Sequence, residues 1–330
     1  MEDKPILSVV APNFNEAQTL PELYRRMREV LDSTGETWEL ILVDDGSTDG
    51  STDIIRELSE KDRRVRPVIF ARNFGHQIAV TAGLDYSRGQ AVVIIDSDLQ
   101  DPPEVIPDLV AKWREGYEVV YAIRTEREGE SWFKLFTASL FYRVIYRITD
   151  VDIPMDTGDF RLLDRKVVNV LNKMRERHRF LRGMSVWVGF RQIGVPYKRV
   201  ARFAGETKYP LKKMFRFASD AITGFSYFPL QMATYLGFIS AGVSILAIPV
   251  VIALRLFGSH NPLIGQATTL IAVLFLGGVQ LISLGILGEY IGRLYDEAKG
   301  RPLYVVREEP EEIEAQEADH EKQATPPIVG

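Results

Sequence analysis

From Ala221 to Gly288 the chain runs 68 residues with one charged side chain, Arg255. At the chain-wide charged fraction of 26%, about 18 would be expected there. Leu230–Leu254 supplies 25 uncharged residues and Thr268–Gly288 supplies 21. A helix rises about 1.5 Å per residue and a hydrocarbon core is about 30 Å thick, so each segment is long enough to cross a bilayer once. The competing reading is a pair of buried helices in a soluble core, but apolar runs of that kind are usually only about 10–14 residues long. Phe225, Tyr227 and Phe228 precede the first segment, and Tyr290 and Tyr295 follow the second, which suits the headgroup level.

Charges beside the hairpin predict its orientation. The connector 256–267 has no Lys or Arg, whereas Lys212, Lys213 and Arg216 lie before the hairpin and Arg293, Lys299 and Arg301 after it. The positive-inside rule places the connector outside and both flanks in the cytoplasm. Met1–Leu7 lacks a basic-then-apolar leader pattern, so the N-terminal part is expected in the cytosol of a cell-membrane protein. The spans carry no Asp, Glu or Lys, which makes them an anchor rather than a transport path.

Elsewhere charge is segregated. Residues 1–123 hold 13 basic and 23 acidic side chains, 161–216 hold 16 and 3, and 307–330 hold 2 and 8. The zero cysteine count excludes disulfides, thiolate metal sites and cysteine nucleophiles. The acidic end after Arg307 reads as a solvated, disordered tail.

The first 125 residues alternate between two patterns. Ile6–Ala11, Leu40–Asp44, Arg66–Phe70, Ala91–Asp96 and Glu118–Ile123 are short apolar runs that predict strands. Between them, Thr19–Leu31, Gly50–Glu60, Gln77–Tyr86 and Pro103–Trp113 have helical spacing. Such alternation predicts an α/β domain with a mostly parallel sheet, whose ligands sit beyond the C-terminal strand ends. Polar loops fall at four of those ends: Pro12–Glu16, Asp44–Asp49, Arg72–His76 and Asp96–Asp101. Any one of them is ordinary turn or cap chemistry; four converging on one sheet edge point to a site.

Asp96-Ser97-Asp98 is the sharpest of these signals. Two carboxylates at a strand end suit a hard divalent cation that keeps waters and bridges to substrate phosphates, although a solvated surface turn would look the same. No Gly-x-Gly-x-x-Gly follows the first strand and no Walker lysine motif occurs, which argues against dinucleotide enzymes and P-loop NTPases.

The ordered set Pro12-Asn13-Phe14-Asn15-Glu16, Val43–Asp49, Arg72–His76, Asp96–Glu104, Asp159-Phe160-Arg161-Leu162 and Arg202–Tyr209 resembles family 2 glycosyltransferases of the GT-A fold. Within these it is similar to the polyprenyl-phosphate glycosyltransferases, such as dolichyl-phosphate mannose synthases and bactoprenol glucosyltransferases, over roughly residues 5–300. The resemblance implies that Asp44 reads the nucleotide base, with Pro12, Asn15, Glu16, Asp45 and Arg72 around it. It implies that Asp98 is the main ligand of Mg²⁺ or Mn²⁺, with Asp96 and Gln100 in support through metal or phosphate. Arg202 and Lys208 resemble a loop closing over the nucleotide; attraction to anionic headgroups is their other reading. Asp159 resembles the proposed catalytic base. A lipid monophosphate is mostly ionised at neutral pH, its second pKa being about 6, so a positioning role is equally open. A plain ion pair of Asp159 with Arg161 or Arg165 is the structural alternative.

Ser131–Arg147 and Pro210–Phe228 mix basic residues with Phe and Trp at helical spacing, which suits helices lying in the membrane interface or packed on the sheet. Interfacial placement would let Arg124 bind the acceptor phosphate. The expected organisation is a nucleotide-sugar core over 1–130, an acceptor-side part over 131–228, two membrane helices over 229–290 and a cytoplasmic tail over 291–330. The resemblance implies an inverting transfer of a hexose, glucose from UDP-glucose by preference, onto polyprenyl phosphate. Two alternatives compete with it. A processive polysaccharide synthase would show Gln-x-x-Arg-Trp and more spans, and neither is present. A non-catalytic nucleotide-sugar-binding module would not require the intact acidic loops. The expected partners are membrane lipids and further copies of the chain, and no nucleic acid; Gly285, Gly288 and Gly292 permit close helix packing, either between copies or within the hairpin itself.

Overall fold

The computed structural model describes residues 4–125, 157–200, 226, 228–257 and 266–310. The expected amphipathic stretches 131–147 and, but for residues 226 and 228, 210–228, with Arg202 and Lys208, lie outside the described residues. The chain divides into two units, an α/β unit that includes residues 301–310 and a helical unit.

In the α/β unit, strands β1 (Leu7–Asn13), β2 (Trp38–Asp44), β3 (Val65–Phe70), β4 (Ala91–Ile94) and β5 (Val119–Arg124) alternate with helices α1 (Leu20–Ser33), α2 (Ser51–Lys61), α3 (His76–Tyr86) and α4 (Ile106–Arg114). These follow the sequence expectation closely. β1 to β4 are buried along their whole length, which is why they read as unbroken apolar runs. Pro21 stands in the first turn of α1, where its missing N–H costs nothing, and Leu20, Leu23, Met27 and Leu31 form its buried stripe.

Beyond β5 come β6 (Thr157–Asp164), α5 (Arg165–Leu171), α6 (Leu181–Trp187) and β7 (Gln192–Tyr197). Asp164 starts α5, its carboxylate accepting from the Lys166 N–H at 2.9 Å. An edge strand, β8 (Val306–Glu308), closes the far side. The eight strands order as β7-β5-β6-β4-β1-β2-β3-β8. β4-β1-β2-β3 are parallel, β6 is antiparallel to both β4 and β5, β7 is parallel to β5, and β8 is antiparallel to β3. This mixed, mostly parallel sheet is a GT-A type architecture.

The reversal at β6 positions the site. Its register sets Ile94 of β4 against Arg161 of β6, so continuing the ladder brings Asp96 opposite Asp159.

The helical unit contains α7 (Phe228–Phe257) and α8 (Gln266–Ala298), which pack against each other. Each contains a segment long and apolar enough to cross a membrane, Phe228–Ala247 and Ala272–Ala298. Their large apolar side chains face outward, Phe238 being 73% and Leu281 71% exposed, which is the reverse of a soluble core helix. α8 runs past the expected end of the span and carries Arg293 and Glu289, an ion pair at 3.1 Å.

Candidate active site

Four loops at the C-terminal ends of β1 to β4 interlock. Asn15 adopts φ +56°, and its side-chain carbonyl accepts from the Thr48 N–H at 2.8 Å while its own N–H donates to Ser47 Oγ at 2.9 Å. The Glu16 N–H donates to Ser51 Oγ at 3.1 Å, and the Ala17 N–H to Asp49 at 3.0 Å. Buried Asp44 accepts from the Ser47 N–H at 3.0 Å and from the Thr52 hydroxyl. Asp45 takes the next loop: its oxygens accept from the Phe74 N–H at 2.6 Å and the Gly75 N–H at 2.9 Å. Desolvation pushes Asp45 up to about 6, against the pull of those two N–H groups.

Gly46 makes this junction possible. It sits at φ +72°, and a Cβ there would lie 2.5 Å from the backbone carbon of Arg72. The loop after β3 therefore passes directly over the loop after β2. Arg72 is exposed, with its guanidinium 3.9 Å from the centre of the Phe74 ring.

The loop after β4 is pinned to β1, because Ser97 Oγ donates to the Pro12 carbonyl at 2.9 Å. Asp98 accepts from the Gln100 N–H at 3.1 Å, across Leu99 at φ +58°. Fully buried Asp101 accepts from the Tyr197 hydroxyl, with Arg124 at 3.7 Å and Arg199 at 3.4 Å. Arg124 Nε also donates to the Tyr197 hydroxyl at 3.1 Å.

Asp159 is held by three side chains. Arg182 Nε donates to Oδ1 at 2.7 Å, Gln77 Nε2 donates to Oδ2 at 3.1 Å, and His76 Nε2 lies 3.1 Å from Oδ2. Burial would raise its pKa, but Arg182 and His76 outweigh burial and hold it well below the ordinary carboxylate range. Desolvation pulls His76 down, yet Asp96 and Asp159 together raise it to about 9. Asp96 is pushed up to about 6 by desolvation, which exceeds the opposing pull of His76 3.6 Å away.

The expected alternative pairing of Asp159 with Arg161 or Arg165 does not occur. Arg161 turns to Ser185 and to the Gly158 carbonyl at 2.9 Å, and Arg165 reaches the Gly89 carbonyl at 2.6 Å. Gln77, Arg182 and Tyr197 join the site without any sequence motif to mark them, while His76 and Asp101 close two of the expected polar loops but carry no role there. Pro12, Asn15, Glu16, Asp44, Asp45, Arg72, Asp96, Asp98, Gln100, Arg124 and Asp159 all fall on loops or strand ends of the α/β unit.

The donor set fits a divalent cation. Asp96 Oδ1 is buried without a hydrogen-bond donor, and Asp98 follows two residues on. Among the described residues no three Asp, Glu, His or Cys are grouped to hold a metal alone. Mg²⁺ is ordinarily held by about one or two carboxylates plus water and substrate phosphates, so a two-carboxylate loop is an adequate protein share.

The family profile "Glycosyl transferase family 2" matches residues 8–171. An "Uncharacterized glycosyltransferase YkcC" of Bacillus subtilis is 52% identical over 300 residues, covering 91% of this chain and 93% of that one. A "Bactoprenol glucosyl transferase" of Shigella phage SfV is 42% identical over 304 residues, covering 92% and 98%. Among solved structures, the mannosyltransferase PcManGT from Pyrobaculum calidifontis, in complex with GDP-Man and Mn²⁺, covers 86% of this chain and 88% of its own at 18% identity and a TM-score of 0.42.

Proposed function

The chain belongs to glycosyl transferase family 2, and from that premise we propose that it transfers a single hexose, glucose from UDP-glucose, to polyprenyl phosphate at the cytoplasmic face of the cell membrane. The observation that carries this is the extent of the similarity to the phage bactoprenol glucosyl transferase. A 304-residue alignment cannot be reached without running through the helical unit as well as the acidic loops. A processive synthase or a non-catalytic binding module is favoured by no comparable observation.

In this reading the loops around Asp44, Asp45 and Arg72 hold the nucleotide, with Pro12, Asn15 and Glu16 forming the adjoining wall. Asp96 and Asp98, supported by Gln100, would hold Mg²⁺ or Mn²⁺. When bound, that cation neutralises charge developing on the diphosphate leaving group. The acceptor's phosphate oxygen attacks the anomeric carbon as the bond to the diphosphate breaks, and one in-line displacement turns an α-linked donor into a β-linked lipid product. That oxygen needs no base, because the second phosphate pKa is about 6. Asp159 is already ionised and tied to three side chains. A carboxylate offers about four acceptor positions, which leaves room for a sugar hydroxyl. Its role here is to position the sugar. Arg124, backed by Asp101 and Tyr197, is the acceptor-phosphate cation.

The hairpin anchors the chain with both flanks cytoplasmic, and the chain works as a homo-oligomer. Supporting the latter, among the described residues a Cβ on Gly285, Gly288 or Gly292 would meet nothing within 4 Å, which leaves this small-residue stripe open to a second copy.

The test incubates the full chain in vesicles containing polyprenyl monophosphate with labelled UDP-glucose and Mg²⁺ or Mn²⁺. One labelled sugar per lipid supports the proposal. Label remaining on the nucleotide across UDP- and GDP-hexoses would sink it, and several sugars per lipid would favour the processive reading.

A further inference from the structure

Residues 301–308 follow α8, within the stretch 291–330 expected as a cytoplasmic tail, and are fastened along their length to the α/β unit. The Arg177 guanidinium donates to the Arg301 carbonyl. The Tyr304 hydroxyl donates to Asp85 at 2.8 Å, and Asp85 is also held by Arg175 at 2.9 Å. Arg56 makes a two-pronged bond to Glu308 at 2.6 and 3.0 Å.

The attachment concentrates on the residue before Arg72. Ala71 donates its N–H to the Val305 carbonyl at 3.0 Å and accepts from the Arg307 guanidinium at 3.2 Å. Both backbone groups of Ala71 are therefore fixed by the incoming segment. The Tyr304 ring stacks on Phe70, with centroids 5.2 Å apart and planes 15° apart. Phe70 meets Phe74 edge-on at 5.6 Å, and the Arg72 guanidinium lies 3.9 Å from the Phe74 ring centre. One unbroken line of contacts thus runs from Tyr304 through Phe70 and Phe74 to Arg72. Aromatic pairs of this kind are favourable beyond their area burial, which couples the incoming segment to the loop after β3.

We propose that residues 301–308 are a positioning element of the donor site, in which Tyr304, stacked on Phe70, holds Phe74 and through it keeps the Arg72 guanidinium facing the nucleotide. The proposal rests on the reading above that Arg72 lines the nucleotide pocket. The chain that leaves the membrane helices is then part of the catalytic machinery.

The experiment titrates UDP, with Mg²⁺ present, into the full-length chain in mild detergent by calorimetry, alongside donor and acceptor kinetics. Tyr304→Ala should weaken UDP binding and raise the donor KM about 3- to 10-fold, the range that one lost aromatic pair supports. The acceptor KM should stay unchanged. Tyr304→Phe, which keeps the ring and loses only the bond to Asp85, should restore donor affinity. If Tyr304 acts through Arg72, the double variant Tyr304→Ala/Arg72→Ala should bind UDP no more weakly than Arg72→Ala alone. Should Tyr304→Ala fail to fold, Tyr304→Leu keeps the apolar volume and removes the stack. UDP affinity equal to the parent in the folded Tyr304 variant would overturn the proposal, as would losses that multiply in the double variant. Parent-like affinity in Arg72→Ala would instead overturn the donor-site placement of Arg72, and the proposal with it.

Discussion

Asp159→Asn separates two chemistries that the family leaves open. In the parent, both carboxylate oxygens are engaged, Oδ1 by Arg182 at 2.7 Å and Oδ2 by Gln77 and His76 at 3.1 Å. An amide keeps one acceptor oxygen and turns the other into a donor that faces donors. At least one hydrogen bond to a charged group is lost, worth about 1.5–3 kcal/mol. If that loss falls on the transition state, the rate drops roughly 10- to 150-fold, at about 1.4 kcal/mol per factor of ten. Because Arg182 and His76 hold Asp159 well below its ordinary pKa, it stays ionised throughout the working range. The deficit should therefore be flat with pH. The assay is lipid-linked hexose formation by parent and variant between about pH 5.5 and 8.5, a window that brackets the acceptor phosphate pKa of about 6. A general base would cost about 10²–10⁴ and would become dispensable as the acceptor ionises. Recovery of the variant as pH rises through that pKa would refute the positioning argument.

Further outcomes follow from the same geometry. Asp98→Ala should abolish transfer with far-UV circular dichroism unchanged; near-normal turnover in excess Mg²⁺ would count against the metal assignment. Gly46→Ala, whose Cβ would strike the Arg72 backbone at 2.5 Å in a left-handed turn, should cost about 1–3 kcal/mol in denaturation and weaken nucleotide binding. Gly158→Ala meets only the end of the flexible Arg124 guanidinium, at 2.6 Å, and should cost less. Burial holds Asp45 at about 6 in the folded chain against about 3.9 for an unperturbed aspartate, so folding favours its protonated form. That contribution is full below the lower value and is lost as pH rises through the upper one. Relative to Asp45→Asn, the parent should lose up to about 3 kcal/mol of stability between pH 4 and 7 in denaturant titrations, and a constant difference would contradict it.

The alternating core was legible because parallel strands buried on both faces must be apolar throughout, and helices on a sheet must show an apolar stripe. Expected Leu40–Asp44 became Trp38–Asp44, and expected Gln77–Tyr86 became His76–Tyr86. β6 did not announce itself in this way, since it carries buried Asp159 and Arg161 among its apolar residues. β7 includes Pro196 and is only partly buried, and β8 is three residues long, so neither has a period to read. The partners of Asp159 were hidden for another reason. Arg182 lies in a segment with 16 basic residues, where nothing local marks one arginine over another. Only the fold, which packs α6 and the start of α3 beside β6, selects it.

The same topology explains why the site needs a counter-charge. Turning β6 against β4 sets Asp159 beside Asp96, two carboxylates that repel at close range in a poorly solvated edge. His76 lies within 3.6 Å of both, and Arg182 completes the pairing of Asp159. The two acids therefore diverge. Asp159 receives nearly all the donors and is driven to the ionised form, while Asp96 keeps a buried oxygen without one. A cation shared with a diphosphate would satisfy that oxygen and relieve the repulsion together. Under the proposed metal-dependent transfer, donor binding would thus draw on the acidic edge, and Asp96→Asn should weaken it.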